Sequence, residues 1–322
     1  MQTDASISRR PTGVRVAVLI LSGIAVGVLA LTITGAGADP NKLTNWQALV
    51  LGVTQGLTEF LPISSSGHLI LVPWIFNWHY LENHSAFNKT FDVSLHLGTL
   101  IAVLAYFRLE AVALAGAWFR SIRKRSIQTG DERLAWFVVV ATIPAAVLGA
   151  LGESFVEDKL GQPYQIAILM AVFAIVLWVA DKTPVTRKME EFDLRTAIGV
   201  GFAQALALAP GVSRSGITIS AGRFLGLSRD DAARFSFFLY APVVGGAVVF
   251  KSAKDLHGGF PPGTTGPFIV GTLTSMVVGL IAIWALLSYL RNNNYNLFVI
   301  YRLVLAAAVL ILIATGAQSA HF

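Results

Sequence analysis

Two polar tracts break an otherwise apolar chain, and together they hold most of its chemically versatile side chains. The first, Gln55 to His68, reads QGLTEFLPISSSGH. Gln55 and Glu59 are four apart and so share one helix face. Ser64, Ser65 and Ser66 set three hydroxyls on a broken turn, where they can donate hydrogen bonds to an anion, and His68 adds a group of the type that titrates near neutral pH. The second tract, Pro210 to Thr218, reads PGVSRSGIT. The planar fork of Arg214 suits bidentate phosphate binding, and Ser213, Ser215 and Thr218 surround it with hydroxyls. Cation, neutral donors, acid and imidazole together describe a phosphate site beside an acid/base or metal-binding group.

The elements that must position these residues follow from composition. Of 322 residues, 55% are hydrophobic and 13% charged, whereas an ordinary soluble domain carries about 25% charged residues. Such a chain cannot cover its surface with polar groups in water; in a bilayer, runs of about 20 apolar residues form spanning helices. Uninterrupted runs lie at Phe91 to Phe107, Leu134 to Gly152, Tyr164 to Ala180, Phe235 to Phe250, Pro267 to Leu290 and Leu297 to Thr315, with an extra one at Val14 to Ala36 that reads as a retained N-terminal span. No cysteine is present, which excludes disulfides, thiolate metal sites and a cysteine nucleophile. The net charge of +6 resides in short loops such as Arg120 to Arg133 and Lys182 to Arg195, the pattern of cytoplasmic loops rather than of nucleic-acid binding. Counting outward from these loops puts the N-terminal arginines in the cytoplasm.

Two apolar stretches, Trp46 to Trp78 and Ala197 to Leu227, contain the polar tracts at their middles. Pro and Gly there disfavour a continuous helix, so each reads as two half-helices around a loop, and non-helical backbone at membrane depth must be buried in protein or line a wet cavity. The stretches align without a gap at an offset of 149 residues: Gly52 with Gly201, Gln55 with Gln204, Ser64 with Ser213, Ser66 with Ser215. Each is followed by three spans, and an odd number inverts the second copy. The expected fold is an all-α integral membrane protein, a polytopic helical bundle with an inverted repeat, two re-entrant broken-helix hairpins and six core spans plus the N-terminal one. Residues 1–44 form the tail and extra helix; residues 45–322 form one membrane domain, with repeats at about 45–181 and 194–315.

Plainer readings compete. A lone membrane serine often bonds only to backbone or a neighbouring helix, and an arginine near a helix end snorkels, although Arg214 sits mid-segment. His79 and His84 read as structural, and His96 is open between structure and function. Arg302 reads as a structural or interfacial cation. Arg223, Arg229 and Arg234, with Asp230 and Asp231, read as a solvated helix start capped by Ser228.

Through QGLTEFLPISSSGH (Gln55 to His68) and PGVSRSGITISAG (Pro210 to Gly222), the sequence from about Asn45 onward resembles the undecaprenyl-diphosphate phosphatase family, also called bacitracin-resistance proteins. Many members have Glu where this chain has Gln55; the family pattern accepts either. The resemblance implies a hydrolase acting on a phosphoanhydride, converting undecaprenyl diphosphate to undecaprenyl phosphate and inorganic phosphate, so recycling the lipid carrier of cell-wall synthesis and conferring bacitracin resistance. It implies a divalent cation, Mg2+ or Ca2+, and a multi-pass protein of the bacterial plasma membrane whose site faces the periplasmic or extracellular side. On this reading Arg214 clamps the phosphates, and Glu59 with Gln55 holds the metal or acts as base. Ser65 or an activated water attacks, His68 shuttles the proton, and Ser64, Ser66, Ser213, Ser215 and Thr218 orient the head group. The expected partners are the polyprenyl diphosphate and the membrane, with no nucleic acid; a homodimer is compatible. The competing class is a lipid-phosphate transporter or flippase, because inverted repeats with broken helices are also a transporter architecture.

Overall fold

Thr44 starts the first described helix. Its hydroxyl accepts from the Gln47 N–H, and the Gln47 side chain accepts in return from the Thr44 N–H, a reciprocal cap that satisfies donors a helix start otherwise leaves orphaned. The computed structural model describes residues 42–78, 80–81, 84–255 and 264–321; the expected N-terminal span and His79 lie outside the described residues. Helix α1 (Asn45–Phe60) is followed by α2 (Ser65–Ile75), α3 (Ser85–Tyr106), α4 (Arg108–Lys124), α5 (Gly130–Lys159), α6 (Pro163–Asp181), α7 (Leu194–Ala205), α8 (Arg214–Phe224), α9 (Arg229–Asp255), α10 (Thr265–Leu290) and α11 (Asn296–Ala314). No strand occurs among the described residues.

Among the described residues, five helices (α5, α6, α9, α10 and α11) are long and apolar enough to cross a membrane, or six spans if the bent pair α3–α4 counts as one. They carry exposed apolar side chains such as Ile175, Ile281 and Val304 on their outer faces, the surface a lipid solvent requires. The chain is a multi-pass helical membrane protein. One element differs from the sequence reading. The basic segment after the first span is helical, and α4 turns 87° from α3. Its alanines and leucines are strong helix formers, and its basic residues describe charge, not the absence of a helix. The α9 start is capped as expected, with Ser228 Oγ accepting from the Asp231 N–H at 3.0 Å. Arg223, however, is not part of a solvated start: it belongs to the last turn of α8 and is buried, donating to the carbonyls of Leu227, Asp181 and Thr183.

The two interrupted stretches break where the sequence places them. Helices α1 and α2 part at residues 61–64, and α7 and α8 at residues 206–213, the latter opening with a 3-10 turn at Leu206–Leu208. Ser64 and Ser213 both take left-handed backbone, with φ of 78° and 76°. For a non-glycine residue this costs of order 1–3 kcal/mol and persists only when surrounding structure imposes it. The repeat extends to packing: α1 lies along α10, and α7 lies along α5. A Cβ on Gly52 would stand 2.7 Å from the carbonyl oxygen of Gly271, and one on Gly201 would stand 2.8 Å from that of Ala141. Equivalent glycines therefore let each first half-helix approach a spanning helix backbone to backbone.

Candidate active site

The two breaks meet. Ser64 Oγ accepts from the Gly211 N–H at 3.1 Å, and Ser215 Oγ donates to the Leu61 carbonyl at 3.0 Å. Each tip thus uses a serine to hold the backbone of the other. A third tie comes from α11. Arg302 is fully buried; its guanidinium donates to the carbonyls of Pro62 at 3.3 Å, Gly211 at 2.9 Å, Val212 at 3.1 Å and Met170 at 3.1 Å. It is a structural cation, and its burial excludes the interfacial reading. Three of these carbonyls, those of Pro62, Gly211 and Val212, lie in the two breaks between half-helices.

Between the tips opens a cavity of about 380 Å³. Glu59, Ser65, Ser66, Ser213 and Arg214 line it, with His96 and Gln204 and an apolar wall that includes Ala145, Leu208 and Val243. Glu59 projects from the last turn of α1 and is almost fully buried. Its Oε2 accepts from Ser65 Oγ at 2.5 Å and from Gln55 Nε2 at 3.0 Å, and its Oε1 accepts from Arg214 Nη2 at 3.3 Å. Arg214 Nη1 donates to the Ser236 carbonyl at 2.8 Å, and its guanidinium carbon lies 4.5 Å from the centre of the Tyr240 ring. Carboxylate, backbone and ring hold the guanidinium from three sides, while Nε–H is buried with no protein acceptor. A buried donor of this kind suits an incoming anion.

Helix α2 begins at the same place. Ser64 makes no side-chain cap within its own helix, because its hydroxyl is committed to Gly211. The opening turn of α2 therefore keeps uncapped N–H groups and the positive end of its dipole, which attract phosphate. At α8 the equivalent Ser213 hydroxyl accepts from the Gly216 N–H at 3.1 Å, so the second tip presents the Arg214 side chain instead.

The structure does not bring every expected residue to the cavity. Ser64 and Ser215 brace the tips. Thr218 Oγ1 donates to the Arg214 carbonyl at 2.8 Å and lies 2.7 Å from Ser236 Oγ, from which it can accept, and so supports Arg214 from below. Gln55 lies behind Glu59. His68 faces α11: Nδ1 is 2.7 Å from the Ser64 carbonyl, which can only accept, so Nδ1 carries the proton and Nε2 accepts from the Tyr301 hydroxyl at 2.7 Å. Both ring nitrogens are engaged, and neither faces the cavity-lining residues. The imidazole in the cavity is His96, whose Nδ1 donates to the Asp92 carbonyl at 2.8 Å and whose Nε2 lies 3.6 Å from Glu59 Oε2. Ser236 and Tyr240, also part of the support, carry no sequence signal of their own inside the apolar run of α9.

No group of three or more His, Asp or Glu residues arranged to hold a metal occurs among the described residues. A hard divalent cation in a phosphate site takes one or two carboxylates plus phosphate oxygens, not a full protein cage. Glu59 supplies the carboxylate, and Gln55 Oε1 is a buried carbonyl oxygen with no hydrogen-bond partner. Glu59, on the cavity, fits that mode of binding; Gln55, whose Nε2 is on Glu59, adds its Oε1 when the amide turns.

A profile of the family described as Bacitracin resistance protein BacA matches residues 48–308. Among curated proteins, the chain is 47% identical over 273 residues to the undecaprenyl-diphosphatase of Pelotomaculum thermopropionicum, covering 84% of this chain and 98% of that protein. It is 44% identical to that of Moorella thermoacetica over 83% of this chain and 97% of the relative, and 44% identical to that of Geobacter sulfurreducens over 82% and 96%.

Proposed function

The chain belongs to the bacitracin resistance protein BacA family, and from that premise we propose that it hydrolyses undecaprenyl diphosphate to undecaprenyl phosphate and inorganic phosphate. The observation that carries the reading is the meeting of Ser65, Glu59 and Arg214, from two tips, on one cavity with an apolar wall. A diphosphate head group between the tips would meet the Arg214 guanidinium and the first turn of α2, while its prenyl chain follows the apolar wall toward the lipid.

Ser65 is the nucleophile in this reading. Its hydroxyl already donates to Glu59 Oε2 at 2.5 Å, so the carboxylate is oriented to take the proton as Oγ bonds to the terminal phosphorus. Arg214 neutralises charge spreading over the equatorial oxygens, the dominant contribution in phosphoryl transfer. The bond from phosphorus to the bridging oxygen breaks, and undecaprenyl phosphate leaves as an anion needing no proton. Water then attacks the phosphoserine, Glu59 returns its proton to Oγ, and inorganic phosphate departs. His96, beside Glu59, is placed to exchange the carboxylate's proton with solvent; His68 serves as a brace. A divalent cation held by Glu59 and Gln55 together with diphosphate oxygens would supply further charge neutralisation.

The distribution of basic loops supports insertion in the bacterial plasma membrane with the site open to the periplasmic or extracellular side, and the broken-helix repeat supports one domain made of two inverted copies. Phosphate release from undecaprenyl diphosphate by purified protein in detergent micelles tests the activity. Hydrolysis needs no second compartment, so micellar turnover separates it from transport; absence of phosphate release with Mg2+ or Ca2+ present would remove the proposal.

A further inference from the structure

Gln204 lines the cavity from the end of α7 and is almost fully buried. Its Nε2 donates to the Ala141 carbonyl at 3.3 Å. That carbonyl can only accept, so the orientation of the amide is fixed: the nitrogen is tied to α5 and Oε1 is the free end. Oε1 is buried and has no hydrogen-bond partner in the protein. A buried acceptor left unpaired is costly, so it marks a place where a ligand is expected.

The chemistry of the orphan narrows its partner. A carbonyl oxygen repels phosphate oxygens and cannot bind the head group directly. Its partner must bring a hydrogen or be a cation, the role given above to Gln55 Oε1, and the Mg2+ dependence in the test below separates the two. Among the cavity's own donors, the Ser65 hydroxyl is on Glu59, the Arg214 Nη atoms are on Glu59 and Ser236, and Ser213 is in contact with Ser215 at 3.2 Å; Arg214 Nε–H is unpartnered and does not reach Gln204 Oε1. A water molecule is the one reactant that arrives with O–H groups to donate, and a glutamine amide that orients attacking water is an established device in phosphoryl transfer.

We propose that Gln204 is a catalytic residue whose Oε1 accepts a hydrogen bond from the hydrolytic water and aims it at the phosphorus. This deepens the phosphatase reading and rests on it. In the second half of the reaction the water oxygen bonds to phosphorus and the Oγ–P bond breaks. Glu59 gives its proton to Ser65 Oγ, and both hydrogens of the water leave on dihydrogen phosphate. Gln204 takes no proton; it fixes the direction of attack, a contribution on the scale of about a hundredfold when lost. Its counterpart at the same repeat position, Gln55, is drawn onto Glu59 by its Nε2, so the two copies of one residue have diverged, one toward the carboxylate and one toward the water.

The test is rapid-quench kinetics of Gln204→Met and Gln204→Glu in micelles, with terminal-phosphate-labelled undecaprenyl diphosphate and Mg2+. Gln204→Met keeps the volume and removes the amide; Gln204→Glu restores an acceptor. The expected result for Gln204→Met is a kcat at least about tenfold lower with KM within about threefold. Release of one equivalent of undecaprenyl phosphate should stay fast, label should accumulate on Ser65, and the Mg2+ dependence should be unchanged. Gln204→Glu should recover part of the loss. Equal slowing of both halves, a kcat within threefold of the wild type, or a shift confined to the Mg2+ dependence would overturn the proposal while leaving the phosphatase reading standing. A wild-type protein that releases no phosphate would overturn both. Thermal melting of each variant in detergent identifies a folding defect, and Gln204→Glu then carries the comparison.

Discussion

Arg214 Nη2 stands 3.3 Å from Glu59 Oε1, although 155 residues separate them along the chain. The pair joins the two copies of the repeat at the cavity, and each partner has a charge the other needs in a medium that penalises isolated ions. Replacing Glu59 by Gln should lower kcat for phosphate release by at least about a hundredfold, the scale of losing a principal electrostatic group. Arg214→Lys keeps the charge but not the fork and should still lose at least about tenfold. Assays in micelles with melting curves alongside distinguish lost chemistry from lost fold.

Ser65 and Ser66 both line the cavity, but only Ser65 is bonded to Glu59. Ser65→Ala should retain less than about one hundredth of the activity, whereas Ser66→Ala should stay within about tenfold of the wild type. Comparable losses at both positions would remove Ser65 from its role as nucleophile.

His68 has a different signature. Tyr301→Phe deletes the hydroxyl that satisfies its Nε2 and should cost about 1–2 kcal/mol of stability, read as a lower melting midpoint, with activity reduced only severalfold. A loss of activity on the scale of Ser65→Ala, with unchanged melting, would return His68 to the proton path.

Gly52 and Gly201 make the same demand at two places. Alanine at either position forces its Cβ against a carbonyl oxygen, and neither helix can yield without moving a catalytic tip. Each substitution should destabilise by about 1–3 kcal/mol and lower kcat more than it raises KM. Urea or thermal unfolding in detergent measures the first effect and steady-state kinetics the second.

The cation is accessible to a simple titration. Chelation with EDTA should abolish phosphate release, and Mg2+ or Ca2+ should restore it. Gln55→Leu, which removes the unpartnered Oε1, should raise the cation concentration needed for half-maximal activity by about tenfold. Full activity in chelator would exclude a metal from the site.

The breaks were legible because proline, glycine and serine interrupt hydrophobic runs, and the repeat offset alone paired Ser64 with Ser213, whose backbones prove equivalent. Glu59 and Arg214 were legible because charge inside a bilayer needs a reason. The direction each side chain faces was not. In a soluble helix the apolar stripe marks the inner face; in α3 or α11 both faces are apolar, since lipid and protein core ask for the same residues. Nothing in the pattern says that His68 turns toward Tyr301 while His96 turns toward Glu59. Ser236 and Tyr240 were hidden for the same reason, as unremarkable members of an apolar run. Helix α4 was missed because its basic residues satisfied the topology argument before its helix-forming residues were weighed.

Arg302 belongs to α11, the last described helix in chain order, yet it binds the backbones of both tips. During synthesis, Glu59, Ser65 and Arg214 all leave the ribosome well before the residue that fastens their supports together. On the proposed mechanism the reacting groups are thus made early and switched on late: a partly translated chain carries Glu59, Ser65 and Arg214 in the bilayer before α11 docks to fasten the two tips together.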